Sequence, residues 1–191
     1  MPHYVVPSEF LFWTKNKKHQ EHKAALLELI YKNLDNTKGL QKNLWFCDVN
    51  TEFFSKDSCA AKYINLVVDG VYPALDGMFS EVPSIRKPKS SVVRDVWYNH
   101  YDPLTNSGQE VHTHTTCSYS GIYFLELSEP NTTMFFSHLA SVNEVTPATK
   151  TTEFIEEGDI LLFPSTMMHY VLPAKQHRTT IAFNIVCNYE N

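Results

Sequence analysis

Apolar residues recur along this chain in two rhythms, and the rhythm changes near the polar stretch Pro83-Ser84-Ile85-Arg86-Lys87-Pro88-Lys89-Ser90-Ser91. Before it the spacing is helical. Residues 19–35 place Leu26, Leu27, Ile30 and Leu34 on one stripe, with charges on the other side, which predicts an amphipathic helix. This reading leaves His19 and His22 on the solvated side. A second helix is predicted from a cap at Asp57-Ser58 through Ala60, Ala61, Ile64, Val67, Val68 and Val71, until Pro73 interrupts it.

After residue 91 the pattern becomes short β-branched and aromatic runs between turn signals. They are Val92–Tyr101, Glu110–His114, Tyr119–Leu127, Thr132–His138, Thr152–Ile155, Ile160–Phe163, Met168–Leu172 and Thr179–Cys187. Turn residues at Asn106-Ser107-Gly108, Glu129-Pro130-Asn131 and Glu157-Gly158-Asp159 separate them. Many short strands at this spacing predict a sandwich or barrel rather than βαβ units. The expected organisation is one domain over 1–191, with a helical support region over 1–90 and a strand core over 91–191. The class is mainly β (α+β), with the N-terminal helices packed outside the barrel.

Composition narrows the function classes. The chain has 191 residues, a formal net charge of −5 and no strongly basic stretch, so a nucleic-acid grip is not expected. Its longest apolar runs fall far short of a membrane span, and the first residues lack the pattern of a signal peptide. Four cysteines, Cys47, Cys59, Cys117 and Cys187, form no CxxC pair and read as reduced thiols of a cytoplasmic protein. The sequon Asn131-Thr132-Thr133 then carries no glycan. Pairing through a strand edge or the first helix leaves a homodimer open.

The chemistry concentrates in three places. His112-Thr113-His114 puts two imidazoles on one strand face, where both reach an ion about 2 Å from each ring. His169 follows 57 positions after His112 and opens an apolar strand that could lie beside the first. Three ligands on one side of a metal leave the other side open for a co-substrate and dioxygen. Arg178, with Thr180 on the same strand face, offers a planar fork and a hydroxyl to the far carboxylate of a small diacid.

The sequence at this point resembles the iron(II)- and 2-oxoglutarate-dependent oxygenases, in particular a small phage and bacterial subgroup with a His-x-His motif. The resemblance rests on Trp97-Tyr98-Asn99, on His112-x-His114 followed by Ser120-Gly121-Ile122-Tyr123-Phe124-Leu125, on Glu157-Gly158-Asp159-Ile160-Leu161-Leu162-Phe163-Pro164 leading to His169, and on Arg178-x-Thr180-Ile181-Ala182-Phe183-Asn184. It implies a double-stranded β-helix, a jelly-roll or cupin-like barrel, with Fe(II) held by His112, His114 and His169. It also implies that Arg178 anchors 2-oxoglutarate, with Thr180, Asn99, Tyr101 and Tyr123 as further co-substrate contacts. The implied reaction couples oxidative decarboxylation of 2-oxoglutarate by dioxygen to hydroxylation of a small-molecule or protein substrate.

One position departs from the superfamily pattern, which has a carboxylate where this chain has His114; Glu110 is the nearest carboxylate on that strand face. A third neutral imidazole favours borderline metals more than a carboxylate does. Two other readings stay open: a cupin-like metal protein that needs no 2-oxoglutarate, and an inactive barrel serving as a binding module. Positions 115–121 lack the glutamate expected of a cupin, and Arg178-x-Thr180 favours the oxygenase.

Overall fold

In the computed structural model, residues 9–37, 49–53, 55, 58–83, 85–105, 108–114, 116–136, 149–151 and 154–189 are described. The elements run β1 (Phe12–Lys15), α1 (His19–Thr37), β2 (Asn50–Thr51), α2 (Ala60–Glu81), β3 (Ser90–Tyr101), β4 (Gln109–His112), β5 (Tyr119–Leu127), β6 (Thr133–Phe136), β7 (Thr149–Thr151), β8 (Asp159–Pro164), β9 (His169–Val171) and β10 (Arg178–Asn188). They build two antiparallel sheets, ordered β1-β8-β5-β10-β3-β2 and β4-β9-β6-β7. The mainly β fold with outer helices is as the sequence reading expected. Among the described residues, however, the strands form two open sheets rather than one closed barrel.

The helices cover one face of the larger sheet. Leu26 and Ile30 of α1, and Tyr63, Val67, Val71 and Met78 of α2, are fully buried against Tyr98, Tyr123, Ile181 and Phe183. A second apolar cluster, including Ile122, Phe124, Phe135, Leu161 and Phe163, draws on both sheets. Burying each such side chain is worth about 1.5–3 kcal/mol, so the larger sheet is fixed from both faces. Gly121 is required where it stands, because an added Cβ would come within 2.3 Å of the Phe183 ring and 2.9 Å of Leu162. Gly158 turns the chain into β8 with φ of 87°, a conformation that costs glycine nothing.

Several expectations are corrected. Helix α2 passes through Pro73 and continues to Glu81. A helical proline costs about 3 kcal/mol, but Pro73 lies on the exposed side, while Ala74, Leu75 and Met78 beyond it are buried against the sheet. At the start of α2, Ser58 Oγ accepts the Ala60 N–H at 3.1 Å, and buried Glu52 accepts the Cys59 N–H; Asp57 lies outside the described residues.

His19 and His22 are buried, not solvated. They stand seven and four positions before Leu26 on the Leu26/Ile30 stripe, and their rings meet the Tyr123 hydroxyl at 2.8 Å and the Leu66 carbonyl at 3.1 Å respectively. His100 of β3 is also buried. The strand expected at Thr152–Ile155 is found earlier, at Thr149–Thr151; residues 152 and 153 lie outside the described residues, as do His3, Cys47 and His138. Cys59, Cys117 and Cys187 are free thiols, and Asn131 of the sequon is buried.

Candidate metal centre and co-substrate pocket

The pleat of the larger sheet decides which side chains reach the second sheet. On β3, alternate residues Trp97, Asn99 and Tyr101 face inward, and β10 aligns Ala182, Thr180 and Arg178 directly opposite them. The smaller sheet closes the pocket with Gln109 and His112 of β4 and His169 and Val171 of β9. The pocket they line opens to solvent at one side.

At one end three histidines converge. His112 and His169 are cross-strand partners, and their ring centroids lie 4.2 Å apart, with His114 at 5.3 Å from each. One nitrogen from each ring lies within 4.8 Å of the others, which suits three imidazoles around one ion with bonds of about 2 Å. His112 Nδ1 contacts the Glu110 carbonyl at 2.7 Å and His169 Nδ1 the Met167 carbonyl at 3.0 Å. Donation to a carbonyl fixes the tautomer and leaves Nε2 with a lone pair for the metal.

Burial pushes the His112 ring below the usual histidine range, and His169 well below it, with the neighbouring His112 adding to the effect there. Burial and His112 together push His114 down to about 4. The rings are therefore neutral near pH 7, the form that binds metal. Glu110 is exposed and stands outside this cluster, its backbone carbonyl meeting His112 instead.

His114 follows the end of β4. Its N–H donates to the Ser165 carbonyl at 2.9 Å, and its ring lies 5.7 Å from the Trp97 ring. Phe135 and Phe163 flank His169 at 5.4 and 5.0 Å. These aromatic walls keep the histidine cluster dry on the side away from the opening.

The other end is built around Arg178, which is 1% exposed. Its guanidinium lies over the Tyr101 and Phe124 rings at 4.9 and 5.5 Å, and donates to Thr133 Oγ1 at 2.7 Å and Thr132 Oγ1 at 3.3 Å. Among the described residues no carboxylate lies within ion-pair distance of it. Burial lowers its affinity for its proton, and the electrostatic pull of Tyr101 and Glu129 offsets that only in part. Arg178 Nε and Asn99 Oδ1 are both buried and take no hydrogen bond among the described residues. Most buried polar atoms in proteins are paired, so two orphans in one pocket mark where a polar ligand belongs.

Thr180, 1% exposed, lies between the two ends. Tyr101 also reaches Gln109 Oε1 at 2.8 Å. Tyr123 is elsewhere: it points from β5 to the helix-covered face, where His19 meets its hydroxyl, because an odd step along a strand reverses the face. The sequence reading missed Thr132, Thr133 and Gln109. The first two were visible as hydroxyl residues entering a strand, but nothing in their spacing ties them to an arginine 45 residues later.

Two facing sheets thus enclose a histidine cluster that could hold a metal ion and, at the other end, a buried arginine. Residues 95–184 match the family model described as "Putative 2OG-Fe(II) oxygenase", so over this stretch the chain is similar to the 2-oxoglutarate- and iron(II)-dependent oxygenases. The cofactors this family implies are Fe(II) and 2-oxoglutarate.

Solved structures agree on the fold. A Pseudomonas putida prolyl-4-hydroxylase is 11% identical with a TM-score of 0.59, covering 92% of each chain. A Trichoplax adhaerens prolyl hydroxylase, solved with a hypoxia inducible factor peptide fragment, is 13% identical with a TM-score of 0.61, covering 93% of this chain and 83% of that one. The viral collagen prolyl hydroxylase of Paramecium Bursaria Chlorella virus-1, solved with 2OG, is 12% identical with a TM-score of 0.57, covering 92% of this chain and 95% of that one. These likenesses establish the double-stranded β-helix architecture. No curated protein matches the chain by sequence. No described helix is long and apolar enough to cross a membrane.

Proposed function

We propose that the protein is an Fe(II)- and 2-oxoglutarate-dependent dioxygenase that hydroxylates a substrate, with His112, His114 and His169 as the metal ligands and Arg178 as the co-substrate anchor. One observation carries the reading: a fully buried arginine with no carboxylate at ion-pair distance among the described residues closes a pocket whose opposite end holds three neutral imidazoles. The donor set fits a divalent metal, and the orphaned Arg178 Nε and Asn99 Oδ1 fit a polar co-substrate. When bound, iron(II) lets dioxygen decarboxylate 2-oxoglutarate to succinate and carbon dioxide, with the second oxygen atom delivered to a substrate C–H bond.

The chain's own residues set up that chemistry. Arg178, oriented by Thr132 and Thr133, pairs with the distal carboxylate, the bidentate geometry for which a guanidinium is suited. Thr180, Asn99 and Tyr101 add polar contacts along the pocket, and Phe163, Phe135 and Trp97 exclude water from the ligand end. The three imidazoles supply no negative charge, so the site carries more net positive charge than one with a carboxylate ligand.

Anaerobic titration of the metal-free protein with ferrous iron and then 2-oxoglutarate tests the reading. A visible metal-to-ligand charge-transfer band is expected in wild type, weakened in His114→Ala and lost in Arg178→Ala. One bound metal per chain with no band would instead favour a metal protein that does not use 2-oxoglutarate.

A further inference from the structure

Arg178 rests on two threonine hydroxyls, and a hydroxyl has a single proton to give. Thr133 Oγ1 donates its proton to Asn131 Oδ1 at 3.0 Å, and the Thr133 N–H donates to the same oxygen at 3.2 Å. A backbone N–H can only donate, so the Asn131 atom that meets it is the amide oxygen, and the orientation of the amide is fixed. Thr132 Oγ1 likewise donates to the Leu172 carbonyl at 3.1 Å. With both protons committed, each threonine oxygen turns its lone pairs to the guanidinium. That group only donates, from Nη2 to Thr133 at 2.7 Å and from Nη1 to Thr132 at 3.3 Å.

This relay is dry along its length. Asn131, in the turn between β5 and β6, is 2% exposed, Thr133 0% and Arg178 1%. Water therefore cannot replace a lost partner, and hydrogen bonds in such a setting count for more than at a surface. The same turn also holds the chain on its way into β10. Glu129 Oε1 accepts the Lys175 and Gln176 N–H groups at 2.6 and 3.2 Å, and the Leu172 N–H donates to the Thr132 carbonyl at 3.2 Å. Backbone and side chain of the anchor are thus tied to one turn, and the Nε–H is left without a hydrogen bond among the described residues.

Resting on the reading of Arg178 as the co-substrate anchor, we propose that Asn131 is a positioning residue for that anchor. By taking the Thr133 proton it makes Thr133 an acceptor for one end of the guanidinium, which holds the group at the angle that leaves Nε–H for the co-substrate's distal carboxylate. Without the amide, the Thr133 hydroxyl is free to rotate its proton towards the guanidinium, and the fork loses its fixed orientation.

Calorimetric titration of the iron(II)-loaded protein without dioxygen tests this, using 2-oxoglutarate and 2-oxobutyrate. The two share a keto acid end, and only the first has a distal carboxylate, so the preference of the protein for 2-oxoglutarate measures the anchor alone. Asn131→Ala is expected to bind 2-oxoglutarate about five- to tenfold more weakly, with 2-oxobutyrate unchanged. Asn131→Ser, whose hydroxyl can still take the Thr133 N–H in a turn of the same kind, should lose less. Thr133→Val, which keeps the shape and removes the hydroxyl, should lose at least as much as Asn131→Ala, and the double variant no more than Thr133→Val alone. If circular dichroism shows that Asn131→Ala does not fold, Asn131→Ser decides by the same comparison of the two acids. Wild-type preference in the Asn131 variants, an equal loss for both acids, or a further loss in the Thr133→Val background overturns the proposal. If wild type itself shows no preference, or Arg178→Leu retains it, the anchor reading fails and the proposal falls with it.

Discussion

The two faces of β3 and β10 are made by alternate residues of the same strands, yet they treat polar groups in opposite ways. On the helix-covered face the Tyr98 hydroxyl meets Thr37 Oγ1 at 2.8 Å and Asn33 at 3.3 Å, and the Tyr123 hydroxyl of neighbouring β5 meets His19. On the inward face Arg178 Nε and Asn99 Oδ1 are buried without partners among the described residues. The difference separates structure from function: polar groups that hold the fold are satisfied by the fold, and those left over await a ligand. Asn16, wedged beneath Gly70, is the exception on the helix side.

Substitutions on the two faces should therefore move different observables. Leu26 is fully buried in α1 against the sheet, and Leu26→Ala is expected to cost about 2–5 kcal/mol of unfolding free energy in urea melts. Iron and 2-oxoglutarate affinity of the folded fraction should not change. A matching loss of co-substrate affinity would mean that the helix layer shapes the pocket as well as supporting it.

Arg178→Leu should do the reverse. Removing a buried charged anchor costs about 3 kcal/mol of binding, more than a hundredfold in the 2-oxoglutarate dissociation constant. Removing a buried cation with no carboxylate at ion-pair distance among the described residues should leave thermal stability unchanged or higher. A fall in melting temperature comparable to that of Leu26→Ala would show that Thr132, Thr133 and the Tyr101 and Phe124 rings satisfy Arg178 on their own, and the inward face would lose its distinction.

Asn99→Leu is the milder version of the same contrast. Loss of one pocket hydrogen bond predicts roughly tenfold weaker 2-oxoglutarate binding, about 1.5 kcal/mol, with stability flat because the orphaned acceptor disappears with the side chain. Calorimetry on both variants separates the two quantities. Unchanged affinity would move Asn99 from the co-substrate pocket to its lining.

How much of this was legible beforehand follows from which signals are local. Strand β5 coincides with the run expected from its β-branched and aromatic residues, and the His112-x-His114 spacing announced two imidazoles on one side. The convergence of His169 on them depends on β4 and β9 being paired, a contact between distant segments that only the ordered family motifs suggested. Edge strands β1 and β2 went unseen because four and two residues are too few to show a period. The burial of His19 and His22 was missed because histidine counts as polar in a helical pattern, though both lie on the apolar stripe. Pro73 was over-read, since a proline on an exposed helix face frees only a carbonyl that water can reach.

The smallest expected effect is the sharpest test of face assignment. The sequence reading put Tyr123 among the co-substrate contacts, whereas β5 aligns it with Ile181 and Ile160, both in the helix-side core, and points its hydroxyl at His19. Tyr123→Phe should then cost about 1 kcal/mol of stability, the net worth of one buried hydrogen bond, and leave 2-oxoglutarate affinity and the charge-transfer band as in wild type. Because side chains alternate strictly along a strand, a one-residue slip in the register of β5 would carry Tyr123 into the pocket and send Ile122 and Phe124 to the helices. A co-substrate defect in Tyr123→Phe with unaltered stability would be the signature of that slip, and it would take the Phe124 wall of the Arg178 site with it.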